Sequence, residues 1–220
     1  MKLTKFTSVI LFGRRNFNIE VESNSLESNE SRSSKLSKAF KQYSSESKTI
    51  IAVSSDDLHL VKEIDPGPHV KVVELKTQTK GALISLAMCL SEIEFNQPLI
   101  IAAGDAISKV DTEEFLTKMI KTDFDAGIIA VKSKNPSYSY IRTLEESVIE
   151  VVEKRVISDL ATTGVYYFKE KNLLVESIEW VISNHLTMNN SYYLSTAINY
   201  LISINARIGI LEILERDYER

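Results

Sequence analysis

Apolar residues along the first half of this chain fall into continuous runs, each about as long as one strand. The runs are rich in Ile and Val and do not alternate with polar residues. Unbroken runs of this kind predict strands buried on both faces of a sheet, because a strand with one exposed face alternates in polarity. The predicted strands span residues 7–12, 48–54, 70–75 and 98–105.

Helical patterns separate these runs, and the clearest covers residues 79–93. Its apolar face comprises Leu83, Leu86, Ala87 and Leu90. Thr79 is predicted to cap its start. Strand and helix in alternation predict a parallel α/β sheet, whose ligands usually bind beyond the carboxyl ends of the strands.

The alternation of strands and helices ends at Asp125, after which short apolar segments follow one another without room for helices. These segments predict antiparallel strands that join the same sheet. They cover residues 125–132, 137–143, 147–153 and 162–169. Two helices, over residues 170–185 and 191–204, and a last strand over residues 207–214 are predicted to follow.

Composition limits both the size of the fold and its partners. A chain of 220 residues with 44% hydrophobic content favours one sizeable core. We therefore predict a single-domain, three-layer α/β/α fold with a mostly parallel mixed sheet. The net charge of −4 and the scattered Lys and Arg residues argue against a nucleic-acid groove.

The single Cys89 cannot form an intramolecular disulfide, which favours a reducing cytoplasm. The N-terminal apolar run is too short for a membrane span, so none is expected there.

One segment differs from the rest of the chain. Residues 22–47 are dominated by Ser, Glu, Asn and Lys, and only residues 35–43 suggest a weak helix. We expect a polar, irregular excursion at the surface. Within it, residues 22–34 offer too little apolar surface to offset the entropy of ordering and are predicted to be mobile or irregular.

Candidate chemistry lies where the predicted strands end. Asp105 follows Gly104 and fits either a turn former or a ligand for a hard cation such as Mg²⁺. Thr79 and Gly81 open a helix whose N–H groups could bind an anion or a carbonyl group. The Glu153–Lys154 pair could bind a sugar hydroxyl and a phosphate, or simply face solvent.

Several of these sites lie in motifs that, in this order, resemble the sugar-phosphate nucleotidylyltransferases. The motifs are TKGA from Thr79, AAGDA from Ala102, SYSY from Ser137, VVEKRVISDLATTGVYYF from Val151 and NNSYYLSTAINYLI from Asn189. The resemblance covers about residues 48–210 and is closest to the short bacterial enzymes associated with capsule and surface-polysaccharide genes. The fourth motif is the most specific part.

The resemblance implies a fold of the nucleotide-diphospho-sugar transferase (GT-A-like) type. It also implies a reaction in which a sugar phosphate attacks the α-phosphate of a nucleoside triphosphate and releases pyrophosphate. Mapped by motif, Asp105 would hold Mg²⁺, Lys154 would contact the sugar phosphate and Glu153 the sugar hydroxyls.

The resemblance also assigns roles to four other residues. Gly81 would approach the nucleotide, and Thr163 and Gly164 would line the sugar side. Asp217 is the only aspartate after Asp159 that could supply a second metal carboxylate. The sequence does not determine the oligomeric state, and a homo-oligomer is one possibility.

The N-terminal part departs from the family. A glycine-rich, arginine-containing loop and a Pro-Lys pair usually follow the first strand, whereas this chain has one glycine, Gly13, and no proline before Pro66. Arg14 and Arg15 could replace part of the charge of that loop.

Three hypotheses therefore stand. The first is an active nucleotidylyltransferase with an altered loop, and the second is a degenerate relative that binds a nucleotide sugar or sugar phosphate as a regulatory or partner subunit. The third, a glycosyltransferase of related fold, would need an Asp-x-Asp motif at Asp105, where Ala106 and Ile107 follow instead.

Overall fold

A computed structural model of the protein describes residues 5–13, 29–145 and 147–219, without the side chains of residues 29–31. In the described ranges the strands are β1 (Thr7–Phe12), β2 (Lys48–Ser54), β3 (Val70–Leu75), β4 (Leu99–Ala103), β5 (Ile107–Ser108), β6 (Ala126–Lys132), β7 (Tyr140–Leu144), β8 (Ser147–Val152), β9 (Leu160–Phe168), β10 (Ile208–Ile213) and β11 (Tyr218–Glu219). The α-helices there are α1 (Asn29–Tyr43), α2 (Leu58–Glu63), α3 (Ala82–Ala87), α4 (Thr112–Lys121), α5 (Lys171–Ser183) and α6 (Leu194–Ser203).

The main sheet is mixed and mostly parallel, as predicted. Its strands follow the order β10-β6-β9-β4-β1-β2-β3, and the β7–β8 hairpin joins it beside β9. Only β9 runs against its neighbours β4 and β6 on this path. The carboxyl ends of all the other strands of the path, and the amino end of β9, therefore meet at one edge of the sheet.

Both faces of the central strands are covered, which explains why β1, β2 and β4 are buried over nearly their whole length. Val9 and Leu11 pack on the face that α3, α5, α6 and the β7–β8 hairpin cover. Ile10 and Phe12 pack on the opposite face, under α1, α2 and α4. The result is the single-domain, three-layer α/β/α fold predicted from the sequence. No helix within the described ranges combines the length and the apolar character that crossing a bilayer needs.

The weak helix suggested over residues 35–43 is present, but the prediction that residues 22–34 are irregular is wrong for residues 29–34, because helix α1 begins at Asn29 and runs to Tyr43. Leu36, Ala39 and Tyr43 are buried, and their spacing of three and four residues places them on one helical face. This sparse stripe stabilises the helix because it packs against the sheet, whereas the composition of the segment reflects its solvent face. Residues 22–28 lie outside the described residues.

Two helices differ from the sequence patterns. The predicted helix over residues 79–93 divides into α3 and a 3₁₀ turn at Leu90–Glu92. Helix α4 has no counterpart among the predicted elements, although Asp111 caps it by accepting a hydrogen bond from the Glu113 N–H at 2.9 Å. Its buried residues Phe115, Leu116 and Met119 form the stripe that indicates such a helix.

Candidate functional site

The turn that carries Asp105 is packed closely against the end of β1. The Gly104 N–H donates to the Leu11 carbonyl at 2.9 Å, and a Cβ at position 104 would lie 2.5 Å from Phe12 Cδ2. The Ala106 N–H donates to the Ala103 carbonyl at 2.9 Å and closes the turn. Asp105 is thereby held, half-buried, at the carboxyl edge of the sheet.

Gly81 allows two backbone segments to meet at the start of α3. Its φ is +101°, in the region that favours glycine, and a Cβ there would lie 2.3 Å from the Tyr192 carbonyl oxygen. That carbonyl accepts from the Leu83 N–H at 3.2 Å, and the Tyr192 N–H donates to the Lys80 carbonyl at 2.8 Å. One of the N–H groups predicted to attract a ligand is therefore occupied by the protein's own backbone.

Thr79 does not cap this helix, contrary to the prediction. Gly81 is the residue at the cap position, and no side chain there bonds to the helix start. The Thr79 hydroxyl shares a hydrogen bond of 2.7 Å with Ser85 Oγ. Thr79 lies too early in the chain because the helix begins only at Ala82.

Glu153 is held through one of its two carboxylate oxygens. Ser195 Oγ donates to Oε2 at 2.6 Å, and Ser139 Oγ donates to the same atom. In the part of the chain that the structure describes, no group donates to Oε1. The carboxylate is thus fixed in orientation and keeps an acceptor for a ligand hydroxyl.

Lys154 takes up the left-handed conformation, with φ of +50°, in the turn between β8 and β9. Its Nζ donates to the Tyr193 hydroxyl at 2.9 Å. An ammonium has three donors, so Lys154 keeps donors for an anion. The salt bridges found among the described residues do not include one between Glu153 and Lys154.

A single short segment, Ser191–Ser195, joins these features. Tyr192 bonds to the start of α3, Tyr193 to Lys154, and Ser195 to Glu153. The structure therefore brings the predicted helix start and the predicted Glu-Lys pair into one continuous site. Ser139, Tyr193 and Ser195 were not predicted as site residues, although all three lie within the SYSY and NNSYYLSTAINYLI motifs.

Thr163 and Gly164 form a bulge at the same edge of the sheet. Ile128 pairs with Tyr166 and Ala130 with Thr162, so Ile129 alone lies opposite residues 163–165 of β9. Gly164 has φ of +91°, and a Cβ there would lie 3.2 Å from Ala103 Cβ. The bulge therefore brings β9 close to the end of β4, next to Asp105.

The Thr163 side chain turns into the sheet rather than toward this edge. Its hydroxyl donates to the Ile129 carbonyl at 3.0 Å, and the residue is buried. A ligand at this edge would therefore meet the backbone of the bulge and not the threonine hydroxyl.

The two aspartates expected to hold a metal have different surroundings. Asp217 Oδ1 lies 3.7 Å from Lys109 Nζ, and its carbonyl accepts from the Lys109 N–H at 2.8 Å. No group of three or more His, Cys, Asp or Glu side chains among the described residues could hold a metal ion. A single strand-end carboxylate can hold a Mg²⁺ ion that also binds substrate phosphates, and Asp105 is the predicted metal ligand that follows β4 at the carboxyl edge of the sheet.

Two surface hollows, of about 350 and 400 Å³, share Lys109, Val110 and Asp111 in their linings. Asp217 and Glu212 line the first, and Lys38 and Lys41 line the second. Of the predicted site residues, only Asp217 lines either hollow. The half-buried Glu153–Lys154 turn lines neither of these two hollows.

A protein-family comparison matches most of the chain. The model for nucleotidyl transferases aligns with residues 20–192. No curated protein matches the chain.

Solved structures share the fold at low sequence identity. A nucleoside-diphosphate-sugar pyrophosphorylase from Vibrio cholerae RC9 superposes with a TM-score of 0.76 at 18% identity, over 97% of this chain and 94% of the other. An inositol-1-phosphate CTP transferase from T. maritima gives a TM-score of 0.65 at 13% identity, over 95% of this chain and 86% of the other.

Proposed function

The chain belongs to the nucleotidyl transferase family, and we propose that it transfers a nucleoside monophosphate from a nucleoside triphosphate to a sugar phosphate or a similar hydroxylated phosphate. The observation that carries this proposal is the Ser191–Ser195 segment, which holds Glu153 and Lys154 beside the start of α3. An acceptor site and a nucleotide site would share that segment. We also propose that the whole chain, residues 1–220, forms this one domain.

Glu153 and Lys154 suit a phosphorylated acceptor that carries hydroxyl groups. Glu153 Oε1 accepts a hydroxyl, while the Lys154 ammonium donates to the phosphate. Two serines on Oε2 keep the carboxylate oriented before the acceptor arrives, which lowers the entropy lost on binding. The structural relative named for inositol 1-phosphate acts on an acceptor of this chemical class.

The reaction forms one bond and breaks another at the α-phosphorus. A phosphate oxygen of the acceptor attacks that phosphorus, and the bond to the bridging oxygen of pyrophosphate breaks. Catalysis of such a transfer rests on positioning and on neutralising charge, so it needs no nucleophilic side chain.

Lys154 would hold the attacking phosphate, and Asp105 would hold Mg²⁺ against the phosphates of the nucleotide. The ion would neutralise part of the negative charge that develops on the leaving pyrophosphate.

We place this activity in surface-polysaccharide synthesis in the cytoplasm. The support is the resemblance of the motifs to the capsule-associated enzymes and the single, buried Cys89, which is free of any disulfide.

A catalytically inactive relative that binds the same ligands is the second candidate. Two observations favour it: the Leu83 N–H at the start of α3 is occupied by the Tyr192 carbonyl, and Asp217 is engaged by Lys109. Such a protein would bind an acceptor without turning it over.

Turnover separates the two candidates. The purified chain is assayed for pyrophosphate release with the four common nucleoside triphosphates, a panel of sugar 1-phosphates, inositol 1-phosphate and Mg²⁺. Release that depends on both substrates supports the enzyme, whereas calorimetric binding without release supports the inactive relative. Asp105→Asn should abolish Mg²⁺-dependent nucleotide binding and leave acceptor binding intact. Failure of the wild-type chain to bind either ligand class contradicts both candidates.

A further inference from the structure

The segment that follows β10 returns to the edge of the sheet beside Asp105. It forms a 3₁₀ turn at Glu215–Asp217 and then β11, which pairs antiparallel with β5. The Lys109 N–H donates to the Asp217 carbonyl at 2.8 Å and extends this pairing. Strand β5 begins at Ile107, two residues after Asp105, so the segment is bonded to the chain directly behind the Asp105 turn.

The side chain of Tyr218 extends from this segment to the other half of the site. Its hydroxyl donates to the Thr163 carbonyl at 2.9 Å, within the bulge that contains Gly164. Its ring packs edge-on against Tyr138, with 6.1 Å between the ring centroids. Tyr218 therefore connects the metal-side turn and the acceptor-side bulge through one strand pair and one hydrogen bond.

Helix α1 fixes strand β5 on the side away from β11, so β5 holds β11 and Tyr218 in a defined position. The Gln42 side chain donates to Ser108 Oγ at 2.9 Å and accepts from the Ser108 N–H at 3.0 Å. The buried Tyr43 hydroxyl donates to the Ala106 carbonyl, next to Asp105. Lys38 of the same helix pairs with Glu219 at 3.0 Å. A shift of β5 against α1 would have to break the bonds of Gln42 and Tyr43 together, and the Lys38–Glu219 pair ties α1 to β11 as well.

We propose that Tyr218 is a positioning residue that fixes the separation between the Asp105 turn and the Thr163–Gly164 bulge. The proposal rests on the proposed function, in which Asp105 holds Mg²⁺ against the nucleotide, and on the resemblance, which implies that Thr163 and Gly164 line the sugar side of the acceptor site. Transfer between two bound reactants is sensitive to small errors in their relative placement. Loss of the Tyr218 hydroxyl leaves each ligand its own contacts and loosens the alignment between them.

Kinetics of Tyr218→Phe test this role against a merely structural one. We expect kcat to fall about tenfold while both KM values stay within about twofold, because alignment and not binding is lost. Tyr200→Phe is the matched control, since the Tyr200 hydroxyl donates to Glu176 at 3.0 Å on the α5–α6 surface. The control should leave kcat and both KM values unchanged. An unchanged kcat in Tyr218→Phe, or an equal fall in the control, overturns the proposal.

Hydrogen exchange provides a readout that needs no turnover. Tyr218→Phe should speed exchange both in residues 106–110 and in residues 162–165, whereas Tyr200→Phe should change neither. Exchange that stays at the wild-type rate in either segment overturns the proposal. If the wild-type chain releases no pyrophosphate, the proposed function fails, and exchange alone still decides whether Tyr218 couples the two segments.

Discussion

Two pairs of charged residues lie at the same edge of the sheet and are held in opposite ways. Arg32 and Asp57 hold each other: Arg32 Nη2 lies 2.6 Å from Asp57 Oδ2, and the Asp57 side chain is 0% exposed. Ser54 Oγ donates to the same oxygen at 2.7 Å. Glu153 and Lys154 are neighbours in sequence, yet hydroxyl groups hold them, from Ser139 and Ser195 for the carboxylate and from Tyr193 for the ammonium.

The difference teaches which charges are available to a ligand. A guanidinium that binds a buried carboxylate neutralises it, so the pair fixes α1 against the end of β2 and has little charge left to offer. A hydroxyl group orients a charge without neutralising it, so Glu153 and Lys154 keep theirs. We infer that the first pair is structural and the second is the functional one.

Breaking the first pair should have the largest effect, and it should fall on stability. Asp57→Ala removes the buried carboxylate that binds Arg32 and Ser54 and should lower the free energy of unfolding by about 3–5 kcal/mol, measured by chemical denaturation. Glu179→Ala, at an exposed position of α5, is the control and should change it by less than about 0.5 kcal/mol. A small loss in Asp57→Ala would show that the pair is not structural.

The helix that carries Arg32 also makes stability depend on pH. Burial raises the pKa of Tyr43 from 10.0 to about 12. The unfolded chain therefore loses this proton first, so the contribution of Tyr43 is complete below pH 10 and is lost as the pH rises to about 12. The loss should be roughly 2–3 kcal/mol.

Denaturation followed between pH 9 and 12 measures this loss. Tyr43→Phe should be less stable at pH 9 and should lose less stability across the range than the wild type. Burial also raises the pKa of Tyr167 to about 12, so part of the dependence should remain in that variant. A slope identical to that of the wild type would contradict the assignment to Tyr43.

Breaking the second pair should affect binding and leave stability nearly unchanged. Lys154→Met removes a charge-assisted hydrogen bond to the acceptor phosphate and should cost about 1.5–3 kcal/mol, or tenfold to a hundredfold in affinity. Calorimetry with a sugar phosphate that the wild type binds measures the change. Arg155→Met, at the next and more exposed cation, should leave the affinity unchanged. Equal losses in the two variants would indicate a general effect of charge.

The smallest effect is expected from the serines that orient Glu153. Ser195→Ala removes one of two donors to Oε2 and should weaken acceptor binding by about 0.5–1.5 kcal/mol. Combined with Glu153→Gln, the loss should be less than the sum of the two single losses, because both changes affect one interaction. Ser203→Ala, at the end of the same helix, is the control. If the loss of affinity in the double variant equals the sum of the two single losses, Ser195 does not act through Glu153.

The sequence alone determined the central sheet and singled out the candidate site residues. Strands β1, β2 and β3 begin and end at the predicted residues. For β1 and β2 the reason is that a strand covered on both faces is apolar over most of its length, whereas β3 lies at the edge of the sheet and keeps Lys71 and Glu74 exposed. Asp105 and the Glu153–Lys154 pair stand out in the sequence as polar residues that directly follow predicted strands, and their roles stay predictions. These signals are local, so one chain without its fold is enough to show them.

Only the tertiary structure decided how these parts meet. Helix α1 has a polar composition, and its few apolar residues are recognisable as a buried face only once the sheet lies under them. The Gly81–Tyr192 contact and the Ser195–Glu153 hydrogen bond join residues far apart in sequence, and neither leaves a periodic pattern at either end. Hydrophobic periodicity reports whether a residue is buried, whereas the partner of a polar group is set by the geometry of the folded chain.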